Sequence, residues 1–194
     1  MAKRQLEASS LDLLVDFLNT RDERRFGAHR QNDEADGDSL TSPAALKRWL
    51  VKRGLSDKAA AVTEHGFARV KDFRRAFRAL LANDSDCAAR SALDTLVATI
   101  PLQARITHGS PALVPASAGL DCALGKLIIA AIVAQVNGTW NRLKMCAAQD
   151  CHWVFYDASK NCLGRWCSME VCGNRLKTRN YRQRIRAKTK RPEK

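Results

Sequence analysis

Two matched pairs of cysteines limit this chain more than any other feature. Cys146/Cys151 and Cys167/Cys172 are each C-x4-C, and fifteen residues separate the pairs. Thiolates are soft donors, and four of them in a tetrahedron at about 2.3 Å close the coordination of a zinc ion. A gap of four is loose for a knuckle, so the duplication and the segment between the pairs carry the argument. In that segment Trp153-Val154-Phe155-Tyr156 is β-type and aromatic, Asp157–Asn161 supplies turn chemistry, and Gly164-Arg165-Trp166 returns to Cys167. One structural zinc ion is expected on Cys146, Cys151, Cys167 and Cys172. Catalytic zinc is disfavoured, because four thiolates leave no position for water. Cys162 and His152 stand close enough in sequence to replace one ligand, and buried free thiols or a disulfide are the plainer alternative.

The totals agree with a metal site in a folded protein. The chain has 194 residues, 45% apolar and 27% charged, with seven cysteines. That suits one good core with a small appended module. The opening M-A-K-R-Q-L-E is not followed by an apolar run, so no export signal is expected and a reducing cytoplasm is. There, clustered cysteines bind metal more often than they pair. Cys87 and Cys122, alone in helical patterns, are expected to be small core residues. The longest apolar run, Leu127–Val133, is well short of the ~20 residues that span a bilayer.

Upstream of the cysteines the pattern is helical. Ser10 stands as N-cap to a helix with Leu11, Leu14, Val15 and Leu18 on one stripe, closed by Asn19 and Thr20. Residues 20–39 are polar and aperiodic, a long surface loop in which His29 is read as solvated. Ser42-Pro43 opens a second helix, which buries Leu46, Trp49 and Leu50 and ends at Gly54. A third runs from Ser56 toward Asn83 with Phe67, Val70, Phe77, Leu80 and Leu81 inward. Its Arg69, Lys71, Arg74, Arg75 and Arg78 are read as a solvated face. Asp84 or Ser85 caps a fourth, which carries Leu93, Leu96 and Val97. Ala104–Thr107 and Ala112–Val114 form a small hairpin around His108, and Leu120–Val136 is the most buried helix.

Charge is uneven. Residues 140–194 carry 14 Lys/Arg against 4 Asp/Glu, and the preceding 139 carry 19 against 16. A near-neutral body with a polyanion-binding end is the reading, beside the plainer one of a solubilising tail. Ser168 is placed to cap a helix that starts on the second cysteine pair, with Glu170 in its first turn. On that helix Arg175, Arg179, Arg182 and Arg186 share one face, and Lys177, Arg184, Lys188 and Lys190 broaden it. Asn174 and Arg175 lie nearest the metal, with Asn174 the more inclined to bond within the finger. Knuckle, hairpin and helix in this order give a treble-clef-like finger.

The run W-C-S-M-E-V-C-G-N-R-L-K (Trp166–Lys177) resembles the CGNR zinc finger, and Cys146–Ser159 fits the upstream part of that pattern. Leu13–Thr20, L-L-V-D-F-L-N-T, is similar to the opening motif of the ABATE domain that precedes this finger. The resemblance implies zinc on the four paired cysteines and DNA binding in a family named for stress-induced transcriptional regulation. Cys162 departs from the polar or basic residue more usual at its position.

The expected protein is mainly α. Residues 1–138 form a helical ABATE-like domain with a small β-hairpin, and residues 139–194 form the finger with its basic helix. Its expected function is zinc-dependent binding of double-stranded DNA through Arg175, Lys177, Arg179, Arg182, Arg184 and Arg186. The body would sense a small-molecule effector or hold a homodimer. RNA or ribosome association is the alternative, with Trp153, Trp166 and Tyr181 as stacking surfaces. Catalytic fingerprints are missing from the sequence, so a non-enzyme is expected. Loss of metal should disorder the basic helix itself.

Overall fold

The computed structural model describes residues 11–27, 37–56, 61–107 and 110–189. The readings placed on Ser10, His29, His108 and Lys190 lie outside them, as does that on the side chain of Lys188.

Helix α1 (residues 11–18) buries Leu11, Leu14, Phe17 and Leu18. Helix α2 (Pro43–Lys52) starts on Ser42, whose hydroxyl accepts from the Ala45 N–H at 3.2 Å, and Leu46 and Leu50 are buried. Helix α3 (Glu64–Ala82) begins later than the apolar pattern suggested. Residues 61–63 are not helical, and Thr63 Oγ1 caps the helix by accepting from Gly66 N–H at 3.0 Å. A Cβ on Gly66 would stand 2.8 Å from Leu120 Cδ2, so the glycine lets α3 lie close to helix α5 (Gly119–Val136). Helix α4 (Cys87–Ala98) is capped by Asp86 and not by Asp84 or Ser85: Asp86 Oδ1 accepts from Ala89 N–H at 2.9 Å, and in the turn before it Asn83 Oδ1 accepts from Ser85 N–H.

Strands β1 (Leu102–Thr107) and β2 (Ser110–Pro115) pair antiparallel as the expected hairpin, longer at both ends. It lies on α5, where Gly125 leaves room for Pro115 and Leu102. By length and composition alone α5 could cross a membrane, with a mean hydropathy of 1.7 over 18 residues. Here Ala123, Leu124, Leu127, Ile128, Ala130 and Ala134 are packed in the core. An aromatic row, Trp49–Phe17–Phe73–Phe77–Trp140, threads that core with centroids 5.1–6.1 Å apart.

Three expectations about charge and cysteine are corrected. Arg74 and Arg78 are buried, at 4% and 6% exposure, and do not lie on a solvated face. Residues 20–39 are not wholly a surface loop: Ser39 N–H donates to Thr20 O and Asp22 N–H to Gly37 O, which sets Asp38 inside. Cys87 is exposed at the start of α4 and Cys122 is half-buried, so neither is a core residue.

The second hairpin also differs from expectation. Strand β4 (Val154–Tyr156) pairs with β3 (Leu143–Met145), which precedes the first cysteine pair, not with residues 164–166. The first knuckle is therefore the tip of this hairpin. Leu143 and Val154 belong to the same apolar cluster as Leu14, Phe17 and Phe73, so the core runs from the helices into the finger. Asn19 joins them: its amide Nδ2 donates to Val154 O at 2.8 Å, and its Oδ1 accepts from Val154 N–H at 2.9 Å.

Candidate metal centre and nucleic-acid interface

The Sγ atoms of Cys146, Cys151, Cys167 and Cys172 all lie within 4.8 Å of one another. Cys151–Cys167 is 3.6 Å and Cys167–Cys172 is 3.7 Å. A tetrahedron with bonds of about 2.3 Å has edges of about 3.8 Å, so the sulfurs stand where a zinc ion would hold them. Disulfide sulfurs would be about 2.05 Å apart. Cys146, Cys151 and Cys172 are buried and Cys167 is half-buried, which closes the site to solvent on most sides. Hydrogen bonds among the thiols pull Cys146 down to about 2 and push Cys151 up; that to Cys146 chiefly pushes Cys167 up, to about 12. Four thiolates so close ionise together only around a cation.

Each ligand is placed by local bonding. Cys146 N–H donates to Trp153 O across the hairpin, and Cys151 N–H donates to Ala148 O within the knuckle. Ser168 Oγ accepts from Val171 N–H and starts a π-helical turn, Met169–Gly173, that carries Cys172 straight into helix α6 (Asn174–Thr189). A Cβ on Gly173 would run into Met169 Sδ and crowd Trp166, so this turn needs glycine. Asp157 steadies the loop between the pairs by accepting from Lys144 Nζ and Gly164 N–H, each at 2.7 Å. The Lys144 bond, helped by Ser159, holds the Asp157 carboxyl well below the usual carboxylate range.

The two candidate substitutes are engaged elsewhere. Cys162 Sγ donates to Asn141 O at 3.7 Å, from a left-handed backbone with φ +54°. His152, also left-handed at φ +51°, places Nδ1 3.0 Å from Glu23 Oε2.

Around the metal lies a shell that sequence reasoning missed. Arg175 Nη1 and Nη2 clasp Asp150 at 2.5 and 2.9 Å, and Nη2 lies 3.7 Å from Cys172 Sγ. The guanidinium sits 3.4 Å over the Phe26 ring, while Arg25 N–H donates to Asp150 O and Arg24 stacks 4.1 Å over Trp153. Residues 24–26 come from the segment read as surface loop. A lone Phe between charges in residues 20–27 was the available signal.

Expectation for Asn174 and Arg175 is reversed. Arg175 is tied down within the finger, and Asn174 is exposed beside Val171, Thr178 and Arg179 along a groove on α6. Lys177, Arg179, Arg182, Arg184 and Arg186 are all exposed, and none makes an ion pair with a described residue. Trp153 and Trp166 are each stacked by an arginine, Arg24 and Arg165, while Tyr181 stays 64% exposed.

Residues 142–185 match the CGNR zinc finger family. Residues 11–138 match the ABATE family, described as "Putative stress-induced transcription regulator". The chain belongs to the ABATE family. No curated protein matches it. In this ABATE chain, the CGNR finger's four cysteines are positioned to bind one zinc ion. The Asn-Thr of the ABATE opening motif does more than close a helix. Asn19 fastens the finger's hairpin, and Thr20 Oγ1 accepts from Arg74 Nη1 at 2.7 Å.

Proposed function

We propose that this protein is a transcription regulator that binds double-stranded DNA through α6, held in place by a structural zinc ion. The observation that carries this reading is the face of exposed cations on α6, unpaired among the described residues and continuous with the second cysteine pair. A helix is about 10–12 Å across with its side chains, and the major groove is about 12 Å wide. Arg179, Arg182 and Arg186 would meet phosphates first, since a mostly cationic face positions more than it specifies. The helical body would sense an effector or hold a second copy. The zinc, closed by four thiolates, acts in folding and performs no chemistry. A reducing cytoplasm, where thiols stay free for metal, suits this reading.

Fluorescence anisotropy against a short duplex tests it. If about six phosphates are neutralised, affinity falls roughly 10³-fold between 50 and 200 mM salt. The combined Arg179→Ala, Arg182→Ala, Arg186→Ala variant should flatten the log–log salt slope by about 3. An unchanged affinity and slope would sink the reading. RNA remains the second partner to test by competition, but only Tyr181 offers an open aromatic face of the three expected.

A further inference from the structure

A cleft of about 490 Å³ lies where the body meets the finger, between α3, the segment after α1 and the first knuckle. Among the described residues its charge is unbalanced. Arg21, Lys71, Arg74, Arg75 and Arg78 line it, against the carboxylates of Glu23 and Asp38. Arg74 and Lys71 share Asp38, at 2.5 and 3.7 Å. Arg78 and Arg21 share Glu23, at 3.2 and 3.6 Å, and His152 leans on the same carboxylate. Arg75 bonds Asp72, which lies outside the lining, and stays 80% exposed.

Burial makes this surplus costly. The Arg78 side chain is 7% exposed, and burial pushes its guanidinium below its ordinary value despite Glu23. It is satisfied in geometry, donating to Leu18 O at 3.0 Å and His152 O at 3.1 Å, but carbonyls supply no net negative charge. A cleft with several like charges and low-dielectric walls concentrates the field and draws in a counter-ion. The remaining wall is apolar: Ala79, Ala82 and Met145. The volume falls within the range of about 300–1,000 Å³ usual for small-molecule sites.

We propose that this cleft binds a small organic anion, its acidic head among Lys71, Arg75 and the buried arginines and its apolar body on Ala79, Ala82 and Met145. The ligand would touch α3 and, through Met145 and His152, both arms of the hairpin that carries the first two zinc ligands. A bound anion would thus contact body and finger at once, and its binding and the finger's metal or DNA binding would be linked reciprocally through those shared contacts. The site deepens the sensing role proposed for the body. Its test reads anion binding directly, so a finger that fails to bind DNA would leave it standing.

Calorimetry on the full zinc-loaded chain, with phenyl phosphate, benzoate and inorganic phosphate as probes, decides the matter. Phenyl phosphate or benzoate should bind with a Kd below about 1 mM and at least tenfold more tightly than inorganic phosphate. Lys71→Ala with Arg75→Ala should weaken that binding tenfold or more, and Ala79→Trp, which fills a partly exposed wall, should abolish it. The Arg179→Ala, Arg182→Ala, Arg186→Ala variant should bind as the parent does. The proposal is overturned if no probe binds, if inorganic phosphate equals the phenyl anion, if the cleft variants bind unchanged, or if binding disappears with the α6 arginines.

Discussion

Arg175 holds three neighbours at once, and its shape is what allows it. The planar fork takes both oxygens of Asp150, its face covers Phe26, and one edge approaches the Cys172 sulfur. Lysine keeps the charge but has neither fork nor face. Arg175→Lys should therefore lower the stability of the zinc-loaded protein by about 1–2 kcal/mol, the pair being about one-third exposed. Urea unfolding would measure it, and competition with a chromophoric chelator should show faster zinc loss. Duplex affinity at saturating zinc should change less than in Arg182→Ala. The buried pair Asp38–Arg74 gives a second prediction. Burial acts to raise the Asp38 carboxyl, but Arg74 outweighs it and the folded value lies below the ordinary one. Its contribution is thus full above about pH 4, the unfolded value, and is lost as pH falls through the lower folded value. Asp38→Asn, which leaves Arg74 buried without its counter-charge, should cost about 3–5 kcal/mol near pH 7 and flatten the acid limb of stability against pH. At this scale the four zinc ligands were legible because their spacing is local chemistry. The buried arginines were not, since their partners Asp38, Leu18 and His152 lie 36, 60 and 74 residues away.

The basic helix is an element that depends on its first turn. From Lys177 to Arg186 only Asn180 is less than exposed, so tertiary packing does little for α6 beyond Arg175 and Leu176. Sixteen residues of largely like charge are marginal alone in water. The zinc site supplies the anchor, because Cys172 and the π-turn lead directly into the helix. Stripping zinc with a chelator should remove the circular-dichroism signal of roughly this one helix, leave the body's cooperative melt, and abolish duplex binding together with the helix. A helix that outlasts the metal would refute the dependence. The helices were legible by their apolar stripes, and α2 and the turn into α6 by the hydroxyls of Ser42 and Ser168, whereas the caps Thr63 of α3 and Asp86 of α4 were not. The finger's hairpin was not: β3 is three residues long, Leu143-Lys144-Met145, too short for alternation to mark it as a strand. Its pairing with β4 follows from tertiary docking of Leu143 and Val154, which no local pattern records.

At the scale of the whole molecule the two family matches meet near residues 138–142, but the packing does not divide there. Leu143 and Val154 complete the helical core, Asn19 takes both main-chain groups of Val154, and residues 24–26 wrap the metal's outer shell. Each buried aliphatic is worth about 1.5–3 kcal/mol as an upper estimate, and the main-chain groups of Val154 would lose partners of about 1 kcal/mol each. A finger cut free at residue 139 gives these up and leaves its hairpin strands unsupported. The fragment 139–194 should therefore bind zinc at least about tenfold more weakly than the full chain, tenfold being about 1.4 kcal/mol. The matching fragment 1–138 should expose the apolar patch that Leu143 and Val154 cover, and self-associate. Adding the two fragments together should restore zinc affinity. Equal affinity in fragment and full chain, measured by chelator competition, would mean that the finger is a self-sufficient module and that the shared core is only a contact surface.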